Sequence, residues 1–337
     1  MQHKFGALDL IRAGLQDLDR ARTLFDELHN DGIDDDRMRL LLATLEKACD
    51  PDIALSNLVD IIKVMQSQGK DFTNIIADEN SFVRLITVLG VSDEMGKLMR
   101  FRPELVEAAA NDACESHLYN HEQRRAHVLK SVGADPNDHT MPTASLPLAE
   151  AATALRKTYR KQLAAIMAQD ATANDPIEIQ PRISTELSDL ADAALEGALA
   201  IARHEVDGSE HVRFAIIGMG KLGAQELNYV SDVDLIYVVE PADMDTNGMA
   251  LSRIGTKMAT TLQRVCQSVI MGVAEPTLWQ IDGGLRPEGK DGPLATQSSN
   301  PTSLLRSNGR KTGKFPGPAQ KARPVAGDTD LGQAIWI

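Results

Sequence analysis

The stretch GMGKLGAQELNYVSDVDL, residues 218–235, carries two sets of groups that could do chemistry. Asp232 and Asp234 are two residues apart. Alternate side chains of a β-strand project to the same side, so both carboxylates can face one hard cation. Phosphoryl and nucleotidyl transfer need such a pair, because a divalent metal must screen phosphate oxygens and orient the attacking and leaving groups. Just upstream, Gly218, Gly220 and Gly223 form a glycine turn after an apolar run. Backbone N–H groups from Gly220 to Gly223, at a helix start, would cradle a phosphate chain, and Lys221 would add a positive charge. The same glycines also spell a dinucleotide-binding fingerprint, with Glu240 placed where an acid would meet a ribose. That reading, an NAD-dependent oxidoreductase, is the alternative; it leaves Asp232 and Asp234 without a task and allows only a short helix before the next strand. No Gly-Lys-Ser/Thr closes the turn, so it is not a Walker A loop.

A metal pair of this kind is completed by a third acid. Asp282, which ends the apolar run LWQID, is the candidate, because an adjacent strand would set it beside the pair. Arg286, in the following LRPEG, is placed to meet phosphate oxygens. An isolated DxD is usually a solvated turn; the ordered set of glycine turn, DxD and later Asp favours a site.

The elements that must position these groups follow from periodicity. The first 130 residues are helical in pattern: Leu8, Ile11, Leu15, Leu18 and Phe25 recur at helical steps, as do Leu55, Leu58, Val59, Ile62 and Met65 behind Pro51. Further helices are expected over 80–90 and 103–110. GADPNDHTMPTASLP, residues 133–147, has the composition of a linker. A long helix follows, with Leu148, Leu155, Tyr159, Leu163 and Ile166 on one face; NDPIEIQP should end it and Ser184 should cap the next. From Val212 the period changes. VRFAIIG, DVDLIYVVE and PTLWQID read as strands, and Leu251, Ile254, Met258, Leu262, Val265 and Val269 mark a helix between the last two. The expected fold class is α+β and mostly helical. Its expected divisions are a helical domain over 1–132, a linker over 133–147, helices over 148–208, a catalytic core over 209–296, and a divergent, disordered or truncated tail over 297–337.

Composition narrows the function classes. Thirty-five basic against 48 acidic side chains give a formal charge of −13, which argues against a broad electrostatic grip on nucleic acid or anionic lipid. The 337 residues contain no run of 18 apolar residues and no signal core, so no membrane association is expected and a cytoplasmic location is. Cys49, Cys114 and Cys266 are too few and too scattered for a disulfide framework, and Cys266 reads as core. Cys114, His117 and His121 share a helical face at zinc-like spacing but lack a fourth ligand, so surface histidines are favoured. Arg156, Lys157, Arg160 and Lys161 read as a solvated helix face.

GMGKLGAQELNYVSDVDLIYV, followed some fifty residues later by QIDGGLRPEGKDGPL, closely resembles the bacterial glutamine synthetase adenylyltransferase and adenylyl-removing enzyme family. LRKTYRKQLAAIMAQD, ELSDLADAALEGALAIAR and SFVRLITVLGVSDEMGKLMRFRPEL also resemble its segments, so the likeness covers roughly residues 1–296. It implies a helical front joined to a small mixed sheet of the polymerase-beta-like nucleotidyltransferase kind. That family joins two such halves in one chain. The amino-terminal half removes AMP from a tyrosine of glutamine synthetase by phosphorolysis and yields ADP; the carboxy-terminal half attaches AMP from ATP. The single motif, in its ELNYVSDVDL form, resembles the amino-terminal, adenylyl-removing version. Carried over, Asp232, Asp234 and Asp282 would be catalytic and bind Mg2+, while Gly220, Lys221, Gly223 and Ser231 would belong to the nucleotide and phosphate cradle. Glutamine synthetase, ADP or ATP, phosphate and a PII-type signal protein are the implied partners.

Three departures from the family pattern stand out. Gly284 occupies a position where most members carry arginine, and Ala224 replaces a common glycine. QSSNPTSLLRSNGRKTGKFPGPAQ, residues 297–320, is too rich in glycine and proline for the continuous helix expected there. The likeness resumes at KARPVAGDTDLGQA, residues 321–334. The chain is therefore expected to be an adenylyl-removing fragment, with a catalytically inactive helical interaction fragment of the same family as the other reading.

Overall fold

The computed structural model describes residues 5–70, 72, 75, 77–110, 119–243, 246–284, 293–297 and 321–334. Two compact units divide the chain: Met1–Leu118 with Arg160–Gln180, and Tyr119–Tyr159 with Pro181–Ile337. In the first, α1 (Ala7–Arg12), α2 (Leu18–Asn30), α3 (Asp35–Leu45), α4 (Pro51–Ser67), α5 (Glu79–Val91), α6 (Asp93–Phe101) and α7 (Pro103–Ala110) follow one another. Their starts are written locally. The side chains of Asp17, Asp34, Asp50, Asp78 and Ser92 each accept the backbone N–H three residues on, which contributes about 1 kcal/mol per cap. Leu55, Leu58, Val59, Ile62 and Met65 are buried as their spacing predicts. The stripe from Leu8 to Phe25 is not one helix: α1 stops at Arg12, Gly14 turns the chain at φ +81°, and Leu8 and Ile11 remain exposed.

The second unit contains α8 (His121–Ser131), the first half of α9 (Leu148–Ala171) and most of α10 (Pro176–Glu205). Ser184 does not cap α10. That helix starts eight residues earlier, where the Asp175 side chain accepts the N–H groups of Ile177 and Glu178, and it runs on through Pro181. A proline removes one helical bond, and here it does not stop a helix whose next five turns are buried almost all round.

Behind α10 lies a five-stranded mixed sheet in the order β3–β2–β1–β5, with β4 also on β2. β1 (Val212–Gly218), the four-residue α11 (Gly220–Gly223), β2 (Val233–Pro241) and α12 (Gly248–Gln267) follow the sequence reading closely. β3 (Ile281–Asp282) is shorter than the expected strand over PTLWQID. β4 (Ala295–Gln297), β5 (Arg323–Gly327) and α13 (Thr329–Ala334) were not expected. β1 runs antiparallel to both β2 and β5; β3 and β4 run parallel to β2. Ala215, Ile217, Met219, Ile236, Val238, Ala322 and Leu331 close a core on one face. Against the other, α12 comes close enough that a side chain at Gly255 would meet Val239 and Ala295. Val269 is exposed beyond the end of α12, and Cys266 takes the buried place at the end of that face, its thiol pushed up to about 12 by complete burial.

Candidate active site

Asp232 precedes β2 and Asp234 is its second residue, so both project from one side at the strand's entrance. The β2–β3 register pairs Asp234 directly with Asp282, which brings the third carboxylate to the same end of the sheet. The Asp234 carboxyl is held above the usual carboxylate range by burial, and then by the neighbouring charges of Asp282 and Asp232. A half-buried carboxylate beside two further acids forms a site that gains by admitting a cation. Their oxygen donors suit a hard ion such as magnesium. Among the described residues, however, the three-carboxylate oxygens do not all lie within 4.8 Å of one another, and Asp282 Oδ1 accepts the Gly284 N–H at 2.6 Å.

The glycine turn is built around Asp234. The Met219 N–H donates to the Asp234 carbonyl at 2.8 Å. Gly220 adopts φ +54°, and a Cβ there would stand 2.8 Å from Asp234 Oδ2, so both conformation and space require glycine. Gly223 faces the other way: a Cβ would overlap the Lys321 carbonyl oxygen, and its N–H donates to the Met219 carbonyl. The N–H groups left for an anion are therefore at the start of α11, at Gly220 and Lys221. Lys221 is exposed and Ser231 half-buried. The turn closes on Gln225, a non-glycine residue at φ +57°, whose amide donates to Asp189. Strain of this kind persists where surroundings over-determine it.

The dinucleotide reading fails on topology. A dinucleotide-binding βαβ unit needs parallel strands joined by a crossover helix, and here β1 and β2 are antiparallel around a single turn of helix. Arg286 lies outside the described residues, as do Cys114, His117 and 298–320.

Three features were missed in the sequence. Arg156 and Arg160 are buried, unlike the exposed Lys157 and Lys161, so this is no solvated face. Arg156 donates to the carbonyls of Val265, Ser268 and Glu275, satisfying the end of α12 and the loop after it. His121 is no free surface histidine: its Nε2 lies 3.5 Å from Asp192 Oδ2. With Asp189 and Asp192 it makes a group whose ligand atoms all lie within 4.8 Å. A metal does not fit there, because both oxygens of Asp192 already accept from the Arg323 guanidinium. Finally, Ser188, Asp189, Asp192 and Glu196 on α10 hold the turn and β5, through Leu227 N–H, Gln225, Arg323 and Gly327 N–H. The recurrence of polar Ser188, Asp192 and Glu196 at four-residue steps inside ELSDLADAALEG was the available signal.

Residues 82–335 match the family model described as glutamate-ammonia ligase adenylyltransferase. The chain is 67% identical over 331 residues to the bifunctional glutamine synthetase adenylyltransferase/adenylyl-removing enzyme of Bifidobacterium longum strain DJO10A, covering 98% of this chain and 31% of that protein. It is 36% identical to the protein of the same name from Cutibacterium acnes, over 97% of this chain and 32% of that one. The Streptomyces avermitilis relative, also of that name, is 33% identical over 96% and 30%. The chain thus spans about a third of the length of these curated relatives. An acidic strand end beneath a glycine turn, in a helical and mixed-sheet fold, matched to this model over three quarters of the sequence, places the chain in the glutamate-ammonia ligase adenylyltransferase family, whose members are nucleotidyltransferases.

Proposed function

We propose that this chain is the adenylyl-removing part of a bifunctional enzyme and removes the adenylyl group from a tyrosine of glutamine synthetase by phosphorolysis, releasing ADP. The carrying observation is the register that sets Asp282 beside Asp234, on the side of β2 that also presents Asp232, under the glycine turn. The ELNYVSDVDL form of the motif favours the removing half over the attaching half.

In the proposed reaction an oxygen of inorganic phosphate attacks the adenylyl phosphorus. The bond from phosphorus to the tyrosyl oxygen breaks, the phenolate takes a proton, and the products are ADP and unmodified tyrosine. Phosphate is itself the nucleophile, so no side-chain nucleophile is needed. Asp232, Asp234 and Asp282 would hold magnesium, which when bound supplies charge neutralisation and in-line orientation of the phosphoryl groups. The Gly220 and Lys221 N–H groups would donate to phosphate oxygens, with the Lys221 side chain and Ser231 at the rim. A PII-type signal protein and a cytoplasmic setting belong to the same proposal; no described helix is long and apolar enough to cross a membrane.

A second reading, an inactive fragment, draws on the Asp282 oxygen engaged by Gly284 N–H and on the third of the relatives' length that the chain spans. Phosphate- and magnesium-dependent release of ADP from adenylylated glutamine synthetase separates the two. Release by the parent chain, abolished in Asp232→Asn plus Asp234→Asn, supports the removing activity. No release from a folded parent selects the inactive fragment.

A further inference from the structure

Residues 321–325, which lead into and begin β5, grip the glycine turn at four places. The Lys321 carbonyl rests on Gly223, where no Cβ would fit. Lys321 Nζ reaches Glu226 Oε2 at 2.7 Å, just past the turn. Val325 packs over Gly218, where an added Cβ would stand 2.7 Å from its Cγ1. Arg323 makes the deepest of these contacts. Its guanidinium forks across both oxygens of Asp192, and Nη2 also donates to the Leu222 carbonyl of α11 at 3.2 Å.

Those contacts connect fixed to functional. Asp192 is 1% exposed in the middle of α10, a helix buried along most of its length, so it is a rigid anchor. The Leu222 carbonyl belongs to the only turn of α11, two residues from Gly220, which abuts Asp234. α11 has four residues and cannot hold its own position by helical bonding, since a single turn is costly to nucleate. Its place relative to Asp234 must be set from outside, and a planar guanidinium that satisfies an anchor and a helix carbonyl at once does so with fixed geometry.

We infer that Arg323, oriented by Asp192, is a positioning residue that fixes the α11 turn against the Asp232–Asp234 carboxylates, the groups on which the proposed nucleotide binding depends. The consequence for nucleotide rests on the nucleotidyltransferase reading above; the positional role does not.

The test compares Arg323→Gln, Arg323→Lys and the control Arg213→Gln in the full 337-residue chain. Arg213 pairs with Asp328 beyond the far end of β5 and with Glu240 at the far end of β2, away from α11 and Asp234, so its loss loosens the sheet there without releasing the turn. Two quantities are read: amide hydrogen exchange at residues 219–224 and the magnesium-dependent Kd for ADP. Arg323→Gln should speed exchange at 219–224 at least tenfold and weaken ADP at least tenfold, effects that Arg213→Gln lacks even where its melting temperature falls equally. Arg323→Lys keeps a charge beside Asp192 but not the fork to Leu222. It should fold as the parent does and still exchange several-fold faster at 219–224, which keeps the inference testable where Arg323→Gln unfolds. Equal exchange in Arg323→Lys and the parent overturns it. If the parent binds no ADP with magnesium, the proposed adenylyl-removing activity of this chain falls, and the exchange rates alone decide the role of Arg323.

Discussion

Asp234 sits among charges of its own sign, which fixes the direction of several effects at the residue scale. Its carboxyl is pushed up by burial first, then by Asp282 and Asp232. Asp234→Asn removes that repulsion. Without metal its melting temperature should therefore equal or exceed the parent's, while ADP release falls at least 100-fold, about 3 kcal/mol of lost transition-state stabilisation. A variant that loses stability and activity together would mean Asp234 supports the fold rather than the chemistry. Gly220→Ala acts through backbone and space at once: φ +54° costs an L-residue roughly 1–2 kcal/mol, and the new methyl presses on Asp234 Oδ2. Chemical denaturation should register that cost, and ADP affinity should fall with it.

Between elements, buried polar side chains add to the apolar contact. Arg156 joins α9 to the end of α12 and the following loop through three carbonyls, and its own basicity is lowered by burial. Arg156→Ala leaves those carbonyls without their donor and should cost about 3 kcal/mol, read from a urea midpoint. Arg156→Met, which fills the space but donates nothing, should recover only part of it. The link between α8 and α10 through His121 and Asp192 depends on pH. The hydrogen bond to Asp192 raises the His121 pKa above its ordinary 6.5, against an opposing effect of burial. A raised folded-state value means that the protonated imidazole stabilises the fold, fully below pH 6.5, and that this contribution is lost as pH rises through the folded value. The urea midpoint of the parent should fall across that interval more than that of His121→Gln. Parallel curves for the two would show that His121 does not contribute.

At the scale of the whole molecule, the chain divides into two compact units. The proposed site draws every described residue from the second unit, and the first is a helical body with its own core. Leu58→Ala in that core, where Leu58 is 1% exposed, should cost 2–5 kcal/mol and lower the thermal midpoint. Below the transition the Kd for ADP should stay within about twofold of the parent's; a larger change in calorimetry would show that the first unit shapes the site. Because the chain spans about a third of its relatives' length, the same titration on a full-length relative would measure what the remainder adds to nucleotide affinity.

The sequence by itself determined the local features. Helix starts were set by side chains three residues from the N–H they cap, and β1, β2 and α12 by apolar period. The pairing of Asp232 with Asp234 followed from strand alternation, which needs no partner to be known. Asp282 was legible as a strand-end acid, yet only the parallel register of β3 on β2 set it opposite Asp234. Other features required contacts across more than a hundred residues. Asp192 and Arg323 are 131 positions apart, and neither periodicity nor spacing relates a helix carboxylate to a guanidinium so distant. The buried Arg156 looked like a solvated charge because sequence pattern does not reveal which carbonyls lack donors at another helix's end. The glycine turn shows the division within one motif. Gly220 is required by its own φ and by Asp234 fourteen residues on, whereas Gly223 is required by the backbone of Lys321, which only the folded chain brings to it.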